Sequence, residues 1–201
     1  SPEYYLFIKG QSSTGVKSGC MKFYAFNDDG GDTINLILDH NLSGGGSWSS
    51  GTNASGPSEV LKQLNDDTKS WVGTETPTNY TMDQTGQPTN AKYTIDYSTY
   101  KARLITAQEV AQITGNTTWN EKTATNNFFF DSKTDTASTT CKSGNTTGCK
   151  YGWLYDRTKT NCTKYGCLNN ADSAMTGHGY WTVSSGASFF RYAWSVYSYG
   201  T

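Results

Sequence analysis

Apolar and polar positions alternate most clearly near the C-terminal end, where Gly179 to Thr201 reads as two strands around a turn of small residues at Ser184 to Ser188. Successive strand side chains point to opposite faces, so in the second strand Tyr192, Trp194 and Val196 form a face suited to a core. Arg191, Ala193, Ser195, Tyr197 and Tyr199 form the other face. That face mixes Tyr, Ser and Arg, as recognition surfaces do, because Tyr offers rigid amphipathic contact and Ser adaptable hydrogen bonding. An edge hairpin whose tyrosines serve strand propensity alone would carry the same residues.

Earlier in the chain the period of two predicts strands at Tyr4 to Lys9, Met21 to Phe26 and Thr33 to Leu38, with Asn27 to Asp32 as a turn. The acids of that turn lack the spacing and closing glutamate of a calcium-binding helix–loop–helix. Asn41 to Ser55 reads as a Gly/Ser-rich loop. Gly56-Pro57-Ser58-Glu59 then opens a helix with Val60, Leu61, Leu64 and Thr68 on one face, and Trp71 closes it against the core. Gly73 to Asn90 is poor in apolar residues and reads as a long surface loop. A second helix begins at Thr106, whose partner Glu109 three residues on completes a capping box. Val110 and Ile113 are its buried stripe, Gly115 its C-terminal cap, and Arg103-Leu104-Ile105 approaches it extended. Asn116 to Asn127 reads as a loop anchored by Trp119. Phe128 to Phe130 and Tyr151 to Asp156 read as short strands or packed loop segments. There is no internal repeat and no heptad pattern.

At 201 residues the chain reads as a single domain spanning 1–201 with one core. A net charge of -1, with 16 Lys+Arg against 17 Asp+Glu, supplies neither a basic stripe for nucleic acid nor a polybasic patch for a membrane surface. Solubility rests on hydroxyls and amides, a composition common among extracellular bacterial β-rich proteins. No apolar run is long enough to span a bilayer, and Ser1 to Ile8 is no signal peptide; the start without Met is expected of a trimmed or mature chain.

Cys141, Cys149, Cys162 and Cys167 cluster in a polar insertion, 141–167, and read as two disulfides formed in an oxidising compartment. Three pairings are open; the short loops favour Cys141 with Cys149 and Cys162 with Cys167. Zinc would need paired CxxC-type knuckles, which these spacings do not supply. Cys20, beside an apolar strand, reads as a buried thiol.

Catalysis has little to draw on. His40 ends an apolar strand and His178 sits between two glycines, neither beside a nucleophile with an orienting partner. No pair of carboxylates is singled out. The six Asn-x-Ser/Thr sites, at Asn41, Asn53, Asn79, Asn116, Asn145 and Asn161, are expected by chance in a chain so rich in Ser and Thr. No cofactor or metal site is expected.

Two segments resemble a known group. Tyr100-Lys101-Ala102-Arg103-Leu104-Ile105-Thr106-Ala107-Gln108-Glu109-Val110 is similar to the helix start "ARL-(P/I/L)-T-x-x-E" of bacterial C-type-lectin-like domains, whose fold is shared with formylglycine-generating-enzyme-like proteins. Gly179-Tyr180-Trp181-Thr182, followed by Ala193-Trp194-Ser195-Val196 and Gly200, looks like the "GYWTSS … AWxVxxxG" ending of the same group. Gut bacterial surface and pilin-like proteins, and the variable proteins of diversity-generating retroelements, carry such endings. The resemblance covers roughly Thr33 to Thr201 and rests on these two motifs. It implies an α+β, C-type-lectin-like fold with two helices, several short antiparallel strands and long loops.

In retroelement-diversified members the ligand-binding residues lie in the C-terminal hairpin, here 179–201. Carried over, the resemblance assigns ligand binding to Ser184, Ser185, Ser188, Phe189, Phe190, Arg191, Tyr192, Ser195, Tyr197, Ser198 and Tyr199. Trp181, Ala193, Trp194, Val196 and Gly200 would be fixed scaffold. It also implies adhesin- or receptor-like display at the bacterial cell surface, toward a host, phage or bacterial surface protein or a glycan, without enzymatic activity. A homo-oligomeric pilus or filament subunit is the alternative, and a formylglycine-generating-like enzyme a weaker one. The chain departs from the enzyme branch, having no cysteine after Cys167 and no histidine cluster. It also lacks the Glu-Pro-Asn and Trp-Asn-Asp motifs of calcium-dependent sugar binding.

Overall fold

A computed structural model describes residues 3–7, 20–28, 32–38, 46–113, 116–125 and 180–196. The elements there are α+β: two helices and short antiparallel strands. Strands β1 (Glu3–Phe7), β2 (Cys20–Asp28) and β3 (Ile34–Leu38) form one antiparallel sheet in that order. The β2–β3 register shifts between Ala25 and Asn27. This sheet matches the three strands expected from the period of two, within a few residues at each end. The side chain of Cys20 lies outside the described residues, as do Phe128 to Phe130, Tyr151 to Asp156 and the cysteine insertion.

Helix α1 (Ser58–Thr68) buries Leu61, Leu64 and Thr68, with Val60 partly covered. These are the face residues the spacing predicts. The buried Thr68 hydroxyl donates to Leu64 O at 2.7 Å, so it reaches the interior already hydrogen-bonded. Trp71 N–H closes the helix on Thr68 O at 2.8 Å, and its ring meets Phe23 edge-on at 5.9 Å. Before the helix, Gly56 has φ 95°, and a Cβ there would stand 3.0 Å from the Tyr93 ring. Both the backbone conformation and the close approach require glycine.

The expectation of a long surface loop over Gly73 to Asn90 is corrected in its middle. Strand β4 (Tyr80–Asp83) lies within it and pairs antiparallel with β5 (Lys92–Ile95). The signal was short: only Tyr80 and Met82 are large and apolar, in a setting of Thr, Asn, Gln, Gly and Pro. Pairing supplies what propensity does not, since Met82 becomes fully buried beside Tyr93 and Ile95. The connection is closed by Gln84 N–H to Ala91 O at 2.8 Å. Asn90 there takes the left-handed conformation, φ 46°, a region its short polar side chain tolerates.

Helix α2 (Ala107–Ile113) starts as predicted. Glu109 N–H donates to Thr106 Oγ1 and Thr106 N–H to Glu109 Oε2, both at 2.9 Å. Val110 is fully buried and Ile113 packs on the same cluster, and Trp119 anchors the following loop. Gly115 lies outside the described residues.

Strands β6 (Tyr180–Ser185) and β7 (Ala193–Val196) form the C-terminal hairpin. It lies between two core clusters. Tyr180 and Trp194 pack on Ile105, Ala107, Val110, Ala111 and Trp119, while Val183, Trp181 and Ala193 pack on the cluster of Trp48, Leu61, Leu64, Met82, Tyr93, Ile95 and Tyr97. Both sides of the hairpin are therefore covered. Two sequence expectations change with it: the turn is at Gly186 to Tyr192 instead of Ser184 to Ser188, and Tyr192 stands outside the strand and exposed instead of on a core face. Ala193 and Trp194 are both half-buried, because each meets a different cluster.

Candidate binding site

The hairpin divides into a buried polar knot and an exposed aromatic turn. The ladder between β6 and β7 slips between Trp181 and Ser185, where four steps along β6 match two along β7. Thr182 fills the gap, its hydroxyl donating to Trp194 O at 2.8 Å and accepting from Ser184 N–H at 3.2 Å. On its other flank β6 is held by side chains: Trp48 Nε1–H donates to Thr182 O at 2.7 Å, Tyr93 O–H to Val183 O at 2.8 Å and Gln84 Nε2–H to Ser185 O at 3.0 Å.

At the centre is Glu121, the single buried carboxylate among the described residues. Its Oε1 accepts from the Tyr80 hydroxyl at 2.9 Å, and its Oε2 from the Ser184 hydroxyl at 2.5 Å and Gln108 N–H at 3.0 Å. Ser184 Oγ in turn accepts from Ala107 N–H at 3.0 Å and lies 3.3 Å from the Tyr80 hydroxyl. The first N–H groups of α2 have no partner within the helix. Here each finds one outside it: Ala107 uses Ser184, Gln108 uses Glu121 and Glu109 uses Thr106. The carboxylate also faces the positive end of the helix, where negative charge is stabilised. Burial, then the Glu121 charge, raises the Tyr80 pKa far above its ordinary value. The Ser184 hydroxyl donates once and accepts on its remaining side, so it serves as a structural bolt and offers no free nucleophile.

Beyond Ser185 the character changes. Phe189 and Tyr192 are each 58% exposed and Phe190 48%. Arg191 is exposed too, its guanidinium carbon 5.5 Å from the Phe190 ring centre. The Phe189 and Tyr192 rings lie 5.2 Å apart, tilted by 41°. Of the five large hydrophobic side chains exposed among the described residues, three sit in this turn; the others, Ile34 and Val72, are isolated. A cluster of this kind marks an interaction surface more than scattered apolar residues do.

The turn's backbone is held while its side chains are not. Asn53 N–H donates to Phe190 O and Asn53 Nδ2–H to Arg191 O, both at 2.8 Å. Within the turn Tyr192 N–H reaches Phe189 O at 3.0 Å and Gly186 N–H reaches Tyr192 O at 2.8 Å. Thr89 N–H adds a bond to Ala187 O at 3.2 Å. A Cβ on Gly186 would approach Tyr192 Cβ to 3.1 Å and Tyr192 O to 3.3 Å, so the turn is drawn tight at a residue with no side chain.

The residues that the resemblance assigns to ligand binding therefore separate. Phe189, Phe190, Arg191 and Tyr192 come together at the surface, with Ser188 half-buried beside them. Ser195 is half-buried in the ladder opposite Trp181. Ser184 and Ser185 are a correction: they are 0% and 1% exposed and bonded inward, because the β6 ladder slip points them into the polar knot. Tyr197, Ser198, Tyr199, Gly200, His40, His178, Cys141, Cys149, Cys162 and Cys167 lie outside the described residues. Sequence reading missed Asn53 and Thr89 as supports of the turn, and Glu121 as the centre of the knot. Asn53 stands 138 residues from Arg191, and nothing local marks it.

Among the described residues no group of three His, Cys, Asp or Glu side chains is placed to hold a metal ion, and no helix is long and apolar enough to cross a membrane. No family model, curated protein or solved structure matches the chain.

Proposed function

We propose that the chain is a bacterial surface-displayed binding module of C-type-lectin-like fold, non-enzymatic, which engages its ligand through the turn Ser188 to Tyr192. The observation that carries this reading is the pairing of a backbone fixed by main-chain and Asn53 hydrogen bonds with three adjacent exposed aromatic side chains and Arg191. Aromatic residues on a preorganised backbone lose little entropy on binding, and aromatics together with arginine dominate interface energies. The fold assignment is supported by the two motif-bearing segments packing on one another: Tyr180 and Trp194 of the ending pack on Ile105, Ala107 and Val110 of the helix start. In a diversified member of this group the exposed turn would be the variable part and the knot the constant part.

The test compares the chain with a Phe189→Ser/Phe190→Ser/Tyr192→Ser variant for adhesion to host and bacterial cells, with sedimentation of each to follow self-assembly. Loss of adhesion at unchanged melting temperature supports the module. Loss of sedimenting polymer instead would make the turn a contact between filament subunits, and equal adhesion by both proteins would remove the turn from function.

A further inference from the structure

Resting on the proposed binding role of this turn, we infer that its partner is a protein with an apolar cleft bordered by a carboxylate. Three segments tied by hydrogen bonds build this surface: 46–56, 84–91 and 186–192. Between them they carry one charged side chain, Arg191, and no carboxylate. Arg191 makes no ion pair among the described residues, and Phe190 supports its guanidinium from one face. The planar fork therefore has its N–H edges available for a carboxylate, the group whose geometry it matches bidentately.

The ring geometry favours a protein over a sugar. Stacking on a pyranose wants an open, flat aromatic face, whereas Phe189 and Tyr192 lean on each other at 41° and the Phe190 face is occupied by Arg191. Sugar hydroxyls are also commonly held by carboxylates and free amides. Here no acid stands on the three segments, and the Asn53 amide nearest the rings already donates to Arg191 O; the amides of Gln87 and Asn90 lie on the neighbouring segment. What remains is a compact knob, two tilted rings beside a cation, shaped to enter a cleft.

The experiment uses the whole chain as bait for a displayed library of random linear and looped peptides, and in parallel for an array of neutral and carboxylated glycans. The expected result is enrichment of peptides combining aromatic or aliphatic residues with Asp or Glu, whose binding falls with added salt. Arg191→Ala should weaken it roughly tenfold and Arg191→Lys by less, since the charge stays and the fork is lost. The serine triple variant should abolish it. Enriched peptides without acids, or glycan binding that the triple variant abolishes, overturn the acidic-protein inference and leave the binding role of the turn standing. If neither probe gives binding that depends on the turn, both fall. Arg191→Glu, which keeps the exposed position polar, guards against a folding artefact: it should reverse the preference toward basic peptides.

Discussion

Ser184 donates a 2.5 Å hydrogen bond to the Glu121 carboxylate across 63 residues of chain, with both side chains buried. The same hydroxyl accepts from Ala107 N–H, so Ser184→Ala weakens the carboxylate's support and strands a helix N–H at once. The expected cost is about 2 kcal/mol. For a chain of this size that lowers Tm by roughly 4–8 °C in a thermal melt. An unchanged Tm would show that the knot contributes nothing to folding.

Three buried phenols make alkaline stability a second test. Burial, first of all causes, raises the pKa of Tyr80, Tyr93 and Tyr97 well above 10, and the Glu121 charge adds to this at Tyr80 and Tyr93. Above pH 10 the unfolded chain releases these protons and the folded chain keeps them, so stability is fully present below pH 10 and falls as pH rises beyond it. Each group contributes at most about 1.4 kcal/mol per pH unit, roughly 4 kcal/mol for the three together. Phenolate absorbance followed beside circular dichroism should show a late step coinciding with unfolding. Complete phenolate formation in a still-folded chain would contradict the burial.

The start of α2 separates a cap from an ion pair. Arg103 reaches Glu109 with both terminal guanidinium nitrogens, at 2.6 and 2.8 Å, and each side chain is only about a fifth exposed. Thr106→Ala removes the cap and should cost about 1 kcal/mol. Glu109→Gln keeps a residue that can complete the box but leaves Arg103 partly buried without its counter-charge, at about 2 kcal/mol. Denaturant melts that rank the two in the opposite order would place the main support in the cap.

The contrast between these sites explains what could be read in advance. The capping box is local, three residues apart, and the strand and helix faces repeat every two or four residues, so pattern alone located them. The α1 face and Val110 follow from the same rule. Ser184 and Ser185 stand in a run of small residues that reads as a turn, and only the ladder slip and the distant Glu121 and Gln84 make them interior. Tyr80 and Met82 were lost in a polar stretch for the same reason: their partners are tertiary. If the ending is diversified, sequencing of the gene's 3′ end across a source population should find changes at Phe189 to Tyr192 with Ser184, Ser185 and Trp194 constant. Frequent replacement of Ser184 would break that division of roles.

Trp119 and Trp194 meet edge-on at 5.1 Å where the second helix's loop joins the hairpin. Trp194→Ala should destabilise by about 3 kcal/mol, the low end for a large aromatic because the ring is only half-buried. A double-mutant cycle with Trp119→Ala should return a coupling of roughly 1 kcal/mol. Additive effects would mean that the rings are neighbours without interacting.

Asn53 distinguishes preorganisation from contact. Asn53→Ala removes the amide bond to Arg191 O but spares the main-chain bond to Phe190 O, and it deletes no exposed ring. The side chain is half-exposed, so water replaces much of the lost bond and stability should change by less than about 1 kcal/mol. A ligand held by the turn would nevertheless have to order Arg191 and its backbone on arrival, a cost of about 1 kcal/mol. Affinity measured by calorimetry should fall about fivefold with a less favourable entropy. The same loss with unchanged entropy would make Asn53 a contact residue, and undiminished affinity would show that the turn holds its shape without it.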